Sequence, residues 1–479
     1  MNGSESSTTC GHCKSPLHLA IIGSGSAAFA AAIAAVENGA RVTLIEAADR
    51  IGGTCVNVGC IPSKVMIHSA GMAQLQAHHP CNGVGHTAPR IDRRAMVAEQ
   101  QGLVDALRAA KYENILQGQP EITLIKGFAR FVNANTLTIS RPQQNETTLQ
   151  ADRILIATGA SPHIPDITGL NDTPYWTSTE ALAATELPQG LIVLGGSVVA
   201  LELAQAFLHL GVKVTLLARS TLLSKEEPLI GSTLLQILEE EGMEIMTHCV
   251  PDHITHDGQH FEVQTSNGMF NAEALLVATG RRANTRNLRL ENAGITTDAT
   301  GRIVVDAMLQ TRCTGIYAAG DCTTNPQYVY VAAAAGTRAA INMTGGNMLL
   351  DLQVLPKVVF TEPQVATVGL SEADARAQGI DVTSRNLTLE NVPRARVNHD
   401  TRGFIKLVAD AGSGKLLGCQ VIAEAAGEII QTAALALNQQ LTVAQLATQL
   451  FPYLTMVEGL KLCAQTFNKD VSQLSCCAG

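Results

Sequence analysis

A glycine-rich turn near the start of the chain constrains its fold more than any other feature. Residues 19–28 form an apolar run that leads into the pattern G-x-G-x-x-A, with Gly23, Gly25 and Ala28 at its fixed positions. The pattern predicts a buried strand, a tight turn and a helix. Glu46 ends a second predicted strand, 18 residues beyond Ala28. Such a turn lets a helix N-terminus face a pyrophosphate while the acid holds a ribose hydroxyl pair, so the segment is typical of a dinucleotide site.

The same plan recurs in the second third of the chain. Residues 191–200 again predict a strand, a turn and a helix, and Gly195, Ser197 and Ala200 stand at the corresponding positions. Each copy ends in Ala-Thr-Gly, at Gly159 in the first and at Gly280 in the second. This internal duplication predicts two nucleotide-binding domains of the α/β class.

The second copy differs from the first in the residue that follows its second strand. Where the first copy has Glu46, the second has Ala218, followed by Arg219, and Lys225 lies six residues further. No carboxylate repels a 2′-phosphate here and a guanidinium is available to bind one, so we expect NADPH rather than NADH. A solvated surface cation is the alternative interpretation of Arg219.

Two cysteines lie five positions apart in residues 51–64, which read Ile-Gly-Gly-Thr-Cys-Val-Asn-Val-Gly-Cys-Ile-Pro-Ser-Lys. On a regular helix such positions are roughly 8–9 Å apart, whereas a disulfide needs Cα atoms within about 7 Å. Cys55 and Cys60 are therefore bridged only across an irregular backbone, which the neighbouring glycines permit. Pro62 predicts that a helix begins near Cys60, and a thiol at a helix N-terminus near Lys64 is favoured as a thiolate. Spacing alone leaves a structural disulfide or two buried thiols as alternatives.

Composition and hydropathy exclude several classes of protein. The net charge of −9 lacks the basic footprint of a nucleic-acid-binding protein. The apolar run 17–36 loosely imitates a signal peptide, but small polar residues and glycines interrupt it without a cleavage site. We interpret the run as a buried strand and helix, and we expect a cytoplasmic protein without membrane association. In the cytoplasm a disulfide is more often catalytic than structural.

Two further cysteine pairs lie near the ends of the chain. Cys10 and Cys13 form a CxxC within residues 1–15, which we interpret as a flexible tail with incidental thiols, with weak metal capture as the alternative. Cys476 and Cys477 are adjacent and close to the C-terminus. Exposed thiols without a function are an oxidation liability, so we expect this second pair to have one.

Taken together, these residues resemble the FAD-dependent pyridine-nucleotide disulfide oxidoreductases over residues 17–479. The resemblance is carried by the first glycine turn, by Gly53-Thr-Cys55-x-x-x-x-Cys60-x-Pro-x-Lys64, by both Ala-Thr-Gly closures and by Gly320-Asp321. It implies an α/β fold with two Rossmann-like domains and a C-terminal α+β dimerisation domain. The implied limits are 16–160 with 284–350 for FAD, 161–283 for NADPH and 351–479 for dimerisation.

The resemblance also implies the contacts of the site residues. Those expected at FAD are Ala28, Glu46, Gly53, Thr54, Lys64, Ala129, Gly159, Gly320, Asp321 and Val329, beside the glycines of the first turn. Lys64 is expected to pair with Glu202 near the flavin. Cys60 is expected to face the flavin, and Cys55 to meet the substrate.

The chain departs from the usual family pattern near its C-terminus. Most disulfide-reducing members carry His-Pro-x-x-x-Glu, but here the run aligned on Glu458 begins with Tyr453. A phenol with a pKa near 10 is a poor proton shuttle at neutral pH. Together with Cys476 and Cys477, this substitution resembles the branch of the family that reduces Hg(II), a soft ion that prefers thiolates and passes between thiol pairs without an imidazole.

That branch implies a route for the metal ion. Hg(II), delivered as thiol complexes, is captured by Cys476 and Cys477 of the partner subunit in a homodimer and passes to Cys55 and Cys60. Tyr453 and Tyr112 are expected to line the metal site, although core packing is the alternative for Tyr112.

Two other functions fit part of the pattern. A thioredoxin reductase with a C-terminal redox tail keeps the histidine that this chain lacks, and a thiol-based metal-binding or redox-sensing protein has no need of two complete nucleotide sites. Members that reduce Hg(II) often carry an N-terminal metal-binding domain. We expect no such full domain here beyond Cys10 and Cys13.

Overall fold

A computed structural model describes residues 16–473. Both terminal cysteine pairs, Cys10 with Cys13 and Cys476 with Cys477, lie outside the described residues. None of the helices within residues 16–473 combines the length and hydropathy that a bilayer span requires.

The strands are numbered in chain order. They are β1 His18–Ile22, β2 Arg41–Glu46, β3 Ile122–Lys126, β4 Phe128–Asn133, β5 Thr136–Ser140, β6 Thr147–Gln150, β7 Arg153–Ile156, β8 Ala160–Pro162, β9 Gly190–Leu194, β10 Lys213–Leu217, β11 Glu244–Met246, β12 Pro251–His256, β13 Phe261–Thr265, β14 Gly268–Ala272, β15 Ala274–Val277, β16 Arg281–Ala283, β17 Ile316–Ala318, β18 Lys357–Val359, β19 Gln364–Gly369, β20 Val382–Thr388, β21 Phe404–Asp410 and β22 Leu416–Ala423.

The α-helices are numbered in the same way. They are α1 Ser26–Glu37, α2 Gly53–Val58, α3 Cys60–His78, α4 Arg93–Arg108, α5 Asn114–Gly118, α6 Ser178–Ala183, α7 Val198–His209, α8 Pro228–Glu240, α9 Val329–Met343, α10 Glu372–Ala377, α11 Pro393–Val397, α12 Ala426–Asn438, α13 Val443–Thr448 and α14 Glu458–Gln465. A π-helical turn, Ala109–Glu113, joins α4 to α5, and short 3-10 turns lie at Leu170–Asp172, Leu290–Ala293, Leu389–Asn391 and Val471–Gln473.

The first compact unit comprises residues 16–57, 106–161 and 282–350. Its parallel sheet has the strand order β17-β7-β1-β2-β3, and β4, β5 and β6 form a separate antiparallel sheet. Strand β1 is central because its residues 19–22 are all apolar and buried. Alanine-rich α1 packs closely on α9, since any side chain at Gly336 would meet the Ala27 carbonyl oxygen at 2.1 Å.

The second compact unit comprises residues 58–105, 162–281 and 351–473. Its parallel sheet has the order β11-β10-β9-β15, beside the antiparallel sheet β12-β13-β14. The C-terminal part forms an antiparallel sheet in the order β18-β19-β22-β21-β20, on which α12 packs. The sequence pattern predicts paired strands at 403–408 and 415–422 and helices at about 425–439 and 443–449, and β21, β22, α12 and α13 confirm them.

Helix α3 and most of α4 pack within the second unit, with Met66 of α3 in the same apolar core as Phe207 of α7. The predicted FAD-binding domain included these helices, and its limits stay a prediction. The residue pattern over 91–117 predicts one helix, and there the structure differs, because the π-helical turn at Ala109–Glu113 interrupts it.

Candidate active site

The two glycine turns have nearly the same geometry. Gly23 has a φ of +113° and Gly195 a φ of +133°. A side chain at Gly23 would lie 2.3 Å from the carbonyl oxygen of Ala157, and one at Gly195 would lie 2.4 Å from that of Ala278. Each glycine is therefore required both by its backbone conformation and by the close approach of the chain that leads into the Ala-Thr-Gly closure. The duplication extends from the sequence to atomic contacts.

The first turn fits the pyrophosphate of FAD. Gly25 is the N-cap residue of α1 and, as a glycine, makes no side-chain capping hydrogen bond to the first turn of the helix. A side chain at Gly53 would lie 2.7 Å from the Gly25 Cα atom, which means that two stretches of bare backbone meet here. Ala28 is fully buried in α1. A helix N-terminus bordered by bare backbone suits a phosphate group.

Glu46 is held in place at the end of β2. The buried Ser24 hydroxyl donates to Glu46 Oε2 at 2.5 Å, and the Ala48 N–H donates to Oε1 at 2.7 Å. A carboxylate fixed in this way is oriented to accept from a ribose hydroxyl pair. The sequence did not single out Ser24, although it is the variable residue between the two glycines.

The other predicted FAD contacts fall at strand ends and helix starts. Gly159 follows β7, Gly320 and Asp321 follow β17, Val329 begins α9, Ala129 is buried in β4, and Thr54 is exposed in α2. Gly159 and Gly320 have φ values of +66° and +82°. The contacts of this set with FAD stay predictions.

The second turn fits an NADPH pyrophosphate in the same manner. Ser197 precedes α7 without a capping hydrogen bond from its side chain, and Ala200 is buried in that helix. Gly196, which the sequence did not single out, leaves space beside β10, because a side chain there would lie 3.0 Å from the Ala218 Cβ atom. Gly280, with a φ of +122°, closes this copy.

The two cations expected to bind the 2′-phosphate of NADPH are accessible. Ala218 is buried directly after β10, and Arg219 and Lys225 are both exposed. No carboxylate takes the place that Glu46 has in the first copy. Two exposed cations after the second strand are compatible with a 2′-phosphate.

The first part of the cysteine stretch lies in the first unit. Gly52 and Gly53 have φ values of +101° and +67°, and they lead into α2, which carries the half-buried Cys55. The Asn57 side chain fixes this turn, because its Nδ2 atom donates to the carbonyl oxygens of Ile51 and Gly53, both at 2.9 Å. Asn57 is a positioning residue that the sequence did not reveal.

The second part of the stretch lies in the second unit. Gly59, with φ −128° and ψ −108°, separates the two helices, and the half-buried Cys60 is the first residue of α3. The Ser63 N–H donates to the Gly59 carbonyl oxygen at 3.0 Å, and the buried Pro62 lies in the first turn, where a missing N–H costs nothing. The predicted helix start near Cys60 is confirmed.

Lys64 lies one turn into α3 and forms an ion pair with Glu202 of α7. Its Nζ atom is 2.7 Å from Glu202 Oε2. The carboxylate is almost fully buried, whereas the lysine side chain retains 35% exposure. The resemblance implied this pair, and its relation to a flavin stays a prediction.

Tyr453 lies in the loop that leads into α14, and Glu458 is the first residue of that helix. The Tyr453 side chain is 49% exposed. Glu458 is buried, and among the described residues its Oε2 atom has no hydrogen-bond partner. Burial raises the pKa of Glu458, although a hydrogen bond from the Leu454 backbone opposes the shift. The loop therefore presents a phenol to solvent and keeps the carboxylate inside.

Tyr112 lies in the π-helical turn of the first unit. Its ring packs edge-on against Phe29, with the ring centroids 4.8 Å apart. A side chain at Gly52 would lie 3.4 Å from the Tyr112 ring, so the ring borders the start of the cysteine stretch. The tyrosine takes part in core packing, and it also lies beside the motif. π-Helical turns are frequent at functional sites.

The family is shown by comparison with known proteins. Residues 17–336 match the model of the pyridine nucleotide-disulphide oxidoreductases, and residues 355–464 match the dimerisation domain of that family. The chain belongs to the pyridine nucleotide-disulphide oxidoreductase family, and the predicted fold class is confirmed.

Individual members of the family can be compared with this chain over nearly its whole length. The chain is 56% identical to the mercuric reductase of Shewanella putrefaciens, over 96% of this chain and 83% of that protein. It is 58% identical to the mercuric reductase of Shigella flexneri, over 97% of this chain and 83% of the relative. Among solved structures, the Cu(II) complex of the HOCl-induced flavoprotein disulfide reductase RclA from Escherichia coli matches with a TM-score of 0.85 at 31% identity, over 95% of this chain and 100% of that one.

Proposed function

We propose that the protein reduces Hg(II) to Hg(0) with electrons from NADPH, using FAD as the intermediate carrier. The observation that carries the proposal is identity of 56% and 58% to two mercuric reductases over at least 96% of the chain. The tyrosine in place of the family histidine and the two thiol pairs agree with this substrate, because thiolates bind a soft metal ion and an imidazole is not needed.

The two glycine turns hold the cofactors in this proposal. The cradle of Gly23, Gly25 and Gly53 binds the FAD pyrophosphate, and Glu46 binds the ribose. The turn at Gly195 and Ser197 binds NADPH, whose 2′-phosphate is held by Arg219 with help from Lys225. When bound, the two cofactors supply the hydride and the electron pair that convert Hg(II) to Hg(0).

The chain's own thiols hold the metal ion. Cys55 and Cys60 act in the reduced state, and each sulfur bonds to mercury as a bond from mercury to a departing thiolate breaks. The proton of an incoming thiol leaves with the departing thiolate. Cys60 faces the flavin, and Cys55 receives the substrate. Lys64, held by Glu202, supplies a fixed positive charge near the flavin.

In this proposal the second thiol pair delivers the metal ion. Cys476 and Cys477 of the partner subunit capture Hg(II) from thiol complexes and pass it to Cys55 and Cys60 within a homodimer. The match of residues 355–464 to a dimerisation domain supports this arrangement. Tyr453 and Tyr112 line the route, where a phenol offers a weak oxygen ligand. A cytoplasmic location agrees with thiols that act in the reduced state.

Steady-state NADPH oxidation tests the proposal. The purified enzyme with bound FAD is assayed with Hg(II) in excess low-molecular-weight thiol, and release of volatile Hg(0) is measured in the same vessel. We expect oxidation that depends on Hg(II) and yields one Hg(0) per NADPH. The same enzyme is then offered thioredoxin, glutathione disulfide and lipoamide. Rapid disulfide reduction without a response to mercury would assign the chain to the disulfide reductases instead.

A further inference from the structure

Side chains of helix α7 hydrogen-bond to a short backbone segment of the second unit, residues 360–362, which we call the strap. The Phe360 N–H donates to Glu202 Oε1 at 2.9 Å. The Gln205 side chain makes two bonds to one residue, accepting from the Glu362 N–H at 2.8 Å and donating to the Glu362 carbonyl oxygen at 2.7 Å. Glu202 and Gln205 are three residues apart on one face of α7, and both are almost fully buried.

The strap and the ion pair share one carboxylate. Glu202 accepts from Lys64 with Oε2 and from the Phe360 backbone with Oε1. The Lys64 Nζ atom also lies 4.5 Å from the centroid of the Phe360 ring. The ammonium group is therefore held by a carboxylate and by the electron-rich face of an aromatic ring, and both holders are fixed by the same segment of backbone.

Helix α3 is close to the strap at a second point. A side chain at Gly71 would lie 2.1 Å from Glu362 Oε1, so the strap residue fills the space that Gly71 leaves open on α3. Lys64 and Gly71 are seven residues apart on α3, about two helical turns, and face the strap together. The strap thus aligns α3, which begins with Cys60, against α7.

We propose that Phe360 and Gln205 are positioning residues that fix the Lys64 ammonium group and thereby set the reduction potential of the flavin. The inference rests on the proposed function in one respect, which is that FAD binds with its reactive ring near Lys64. Gln205 fixes the strap, the strap fixes the Phe360 ring and the Glu202 carboxylate, and these two fix Lys64. A positive charge held near the flavin favours its reduced, more negative form.

Phe360→Leu tests the aromatic contact with little change in volume, and Phe360→Tyr keeps the ring face. Lys64 has 35% exposure, so its acylation by a water-soluble ester reagent is followed by peptide mass spectrometry on the purified full-length protein. We expect the rate to rise roughly two- to fivefold in Phe360→Leu, the factor that an ordinary cation–π contact supplies, and to stay at the parent value in Phe360→Tyr. Gln205→Leu should also raise the Lys64 acylation rate, because it removes both hydrogen bonds that hold the strap.

Phe261→Leu is the matched control, because Phe261 is buried in β13 of the same unit, in a different apolar core. It should lower thermal stability and leave the Lys64 acylation rate unchanged. An equal rise of the Lys64 acylation rate in Phe261→Leu would show that Phe360→Leu acts only by lowering the overall stability of the unit, and it would overturn the inference.

The flavin reduction potential is then measured by spectroscopic titration against a reference dye. We expect Phe360→Leu to lower it by up to about 20 mV, which is a fivefold change for a two-electron couple in which tenfold is about 30 mV. Phe360→Tyr should restore the parent value. Unchanged potentials in both Phe360→Leu and Gln205→Leu would overturn the inference.

These readouts do not involve mercury. A chain that failed to reduce Hg(II) but showed both effects would retain the strap as a positioning device and lose the proposed substrate. A chain that reduced Hg(II) with potentials unaffected by the strap would retain its function and lose this inference.

Discussion

Asn57 fixes the backbone that leads into the first cysteine. Its side-chain amide donates to two carbonyl oxygens, those of Ile51 and Gly53, and its Oδ1 atom accepts from Arg108. Cys60, by contrast, follows a break at Gly59 and begins a helix of 19 residues. The two thiols therefore have different backbone settings: Cys55 is the third residue of the six-residue α2, and Cys60 is the first residue of the longer α3, whose N-terminus favours a thiolate.

This difference predicts unequal roles for the thiols. Cys60→Ser should abolish the long-wavelength thiolate–flavin absorbance of the two-electron-reduced enzyme, because serine offers no thiolate to the flavin. Cys55→Ser should keep that absorbance and is the matched variant. Anaerobic titration with dithionite or NADPH measures both. Survival of the band in Cys60→Ser would exchange the two assignments.

At the second nucleotide turn, Arg219 is the residue on which the choice of NADPH depends. It is exposed directly after the buried Ala218. Arg219→Ala should raise the KM for NADPH roughly tenfold or more, the loss expected for a charged hydrogen bond, and should leave the KM for NADH nearly unchanged. Steady-state kinetics with both nucleotides measure the split. Arg282→Ala, at an exposed arginine of β16, serves as a control, and equal effects on the two nucleotides would remove the phosphate role.

At the scale of elements, the strand–turn–helix copies were predictable because their signals are local. Apolar runs, positive-φ glycines and a helix start such as Pro62 lie within about ten residues of one another. The structure gives both copies the same close approach of a glycine to a carbonyl oxygen. Because these signals are local, the sequence alone identified Gly23 and Gly195 as the turn glycines and Cys60 as a helix start.

Contacts between distant elements were not predictable in this way. Gln205 and Glu362 are 157 positions apart, and no local pattern connects them. The π-helical turn was also missed, since the polar and apolar residues of 91–117 fit a continuous helix about as well. The packing of α3 and α4 in the second unit depends on tertiary contacts, such as that of Met66 with the α7 core, which the sequence period does not identify.

Glu241, the residue directly after α8, joins that helix to α7 and to the C-terminal part of the chain. Burial alone would raise the pKa of Glu241, but hydrogen bonds from His209, Gln205 and Arg402 outweigh burial and hold the pKa below its ordinary value. A carboxylate whose pKa is lower in the folded state stabilises the fold above the unfolded pKa of about 4.3. That stabilisation is lost as the pH falls through the folded value.

Glu241→Gln should therefore lower the free energy of unfolding by about 1–3 kcal/mol at pH 7. The difference from the parent protein should narrow below a pH of about 4. Urea unfolding followed by circular dichroism between pH 7 and 3.5 measures it. The exposed Glu262 provides the control Glu262→Gln, which should have little effect at any pH. A difference that stayed constant with pH would show that the charge of Glu241 is not what stabilises the fold.

At the scale of the whole molecule, a shared active site predicts complementation between two inactive chains. One variant carries Cys60→Ser with its own tail intact, and the other carries Cys476→Ala and Cys477→Ala with Cys60 intact. In a twofold-symmetric dimer with tails acting on the partner, each mixed dimer has one complete site. The purified mixed dimer should therefore show roughly half of the parent activity.

The two chains are co-expressed with different affinity tags and purified in succession, and Hg(II)-dependent NADPH oxidation is assayed with mercury bound to two strong thiols. Each homodimer alone should be nearly inactive under these conditions. If the tail acted within its own chain, the mixed dimer would have no complete site, and its activity would not exceed that of the separate variants.

The π-helical turn at Ala109–Glu113 has a consequence for how this chain tolerates insertions and deletions. Such a turn contains one residue more than an α-helical turn, so it is equivalent to a single-residue insertion within a helix. Removing one residue there, for example Lys111, would let α4 and α5 run on as one regular helix. The helix on either side would keep its facing, because the deletion takes out only the extra residue, and the rearrangement would be confined to the turn that carries Tyr112. The extra residue of the turn therefore decides how the Tyr112 ring is presented to Phe29 and to the start of the cysteine stretch at Gly52.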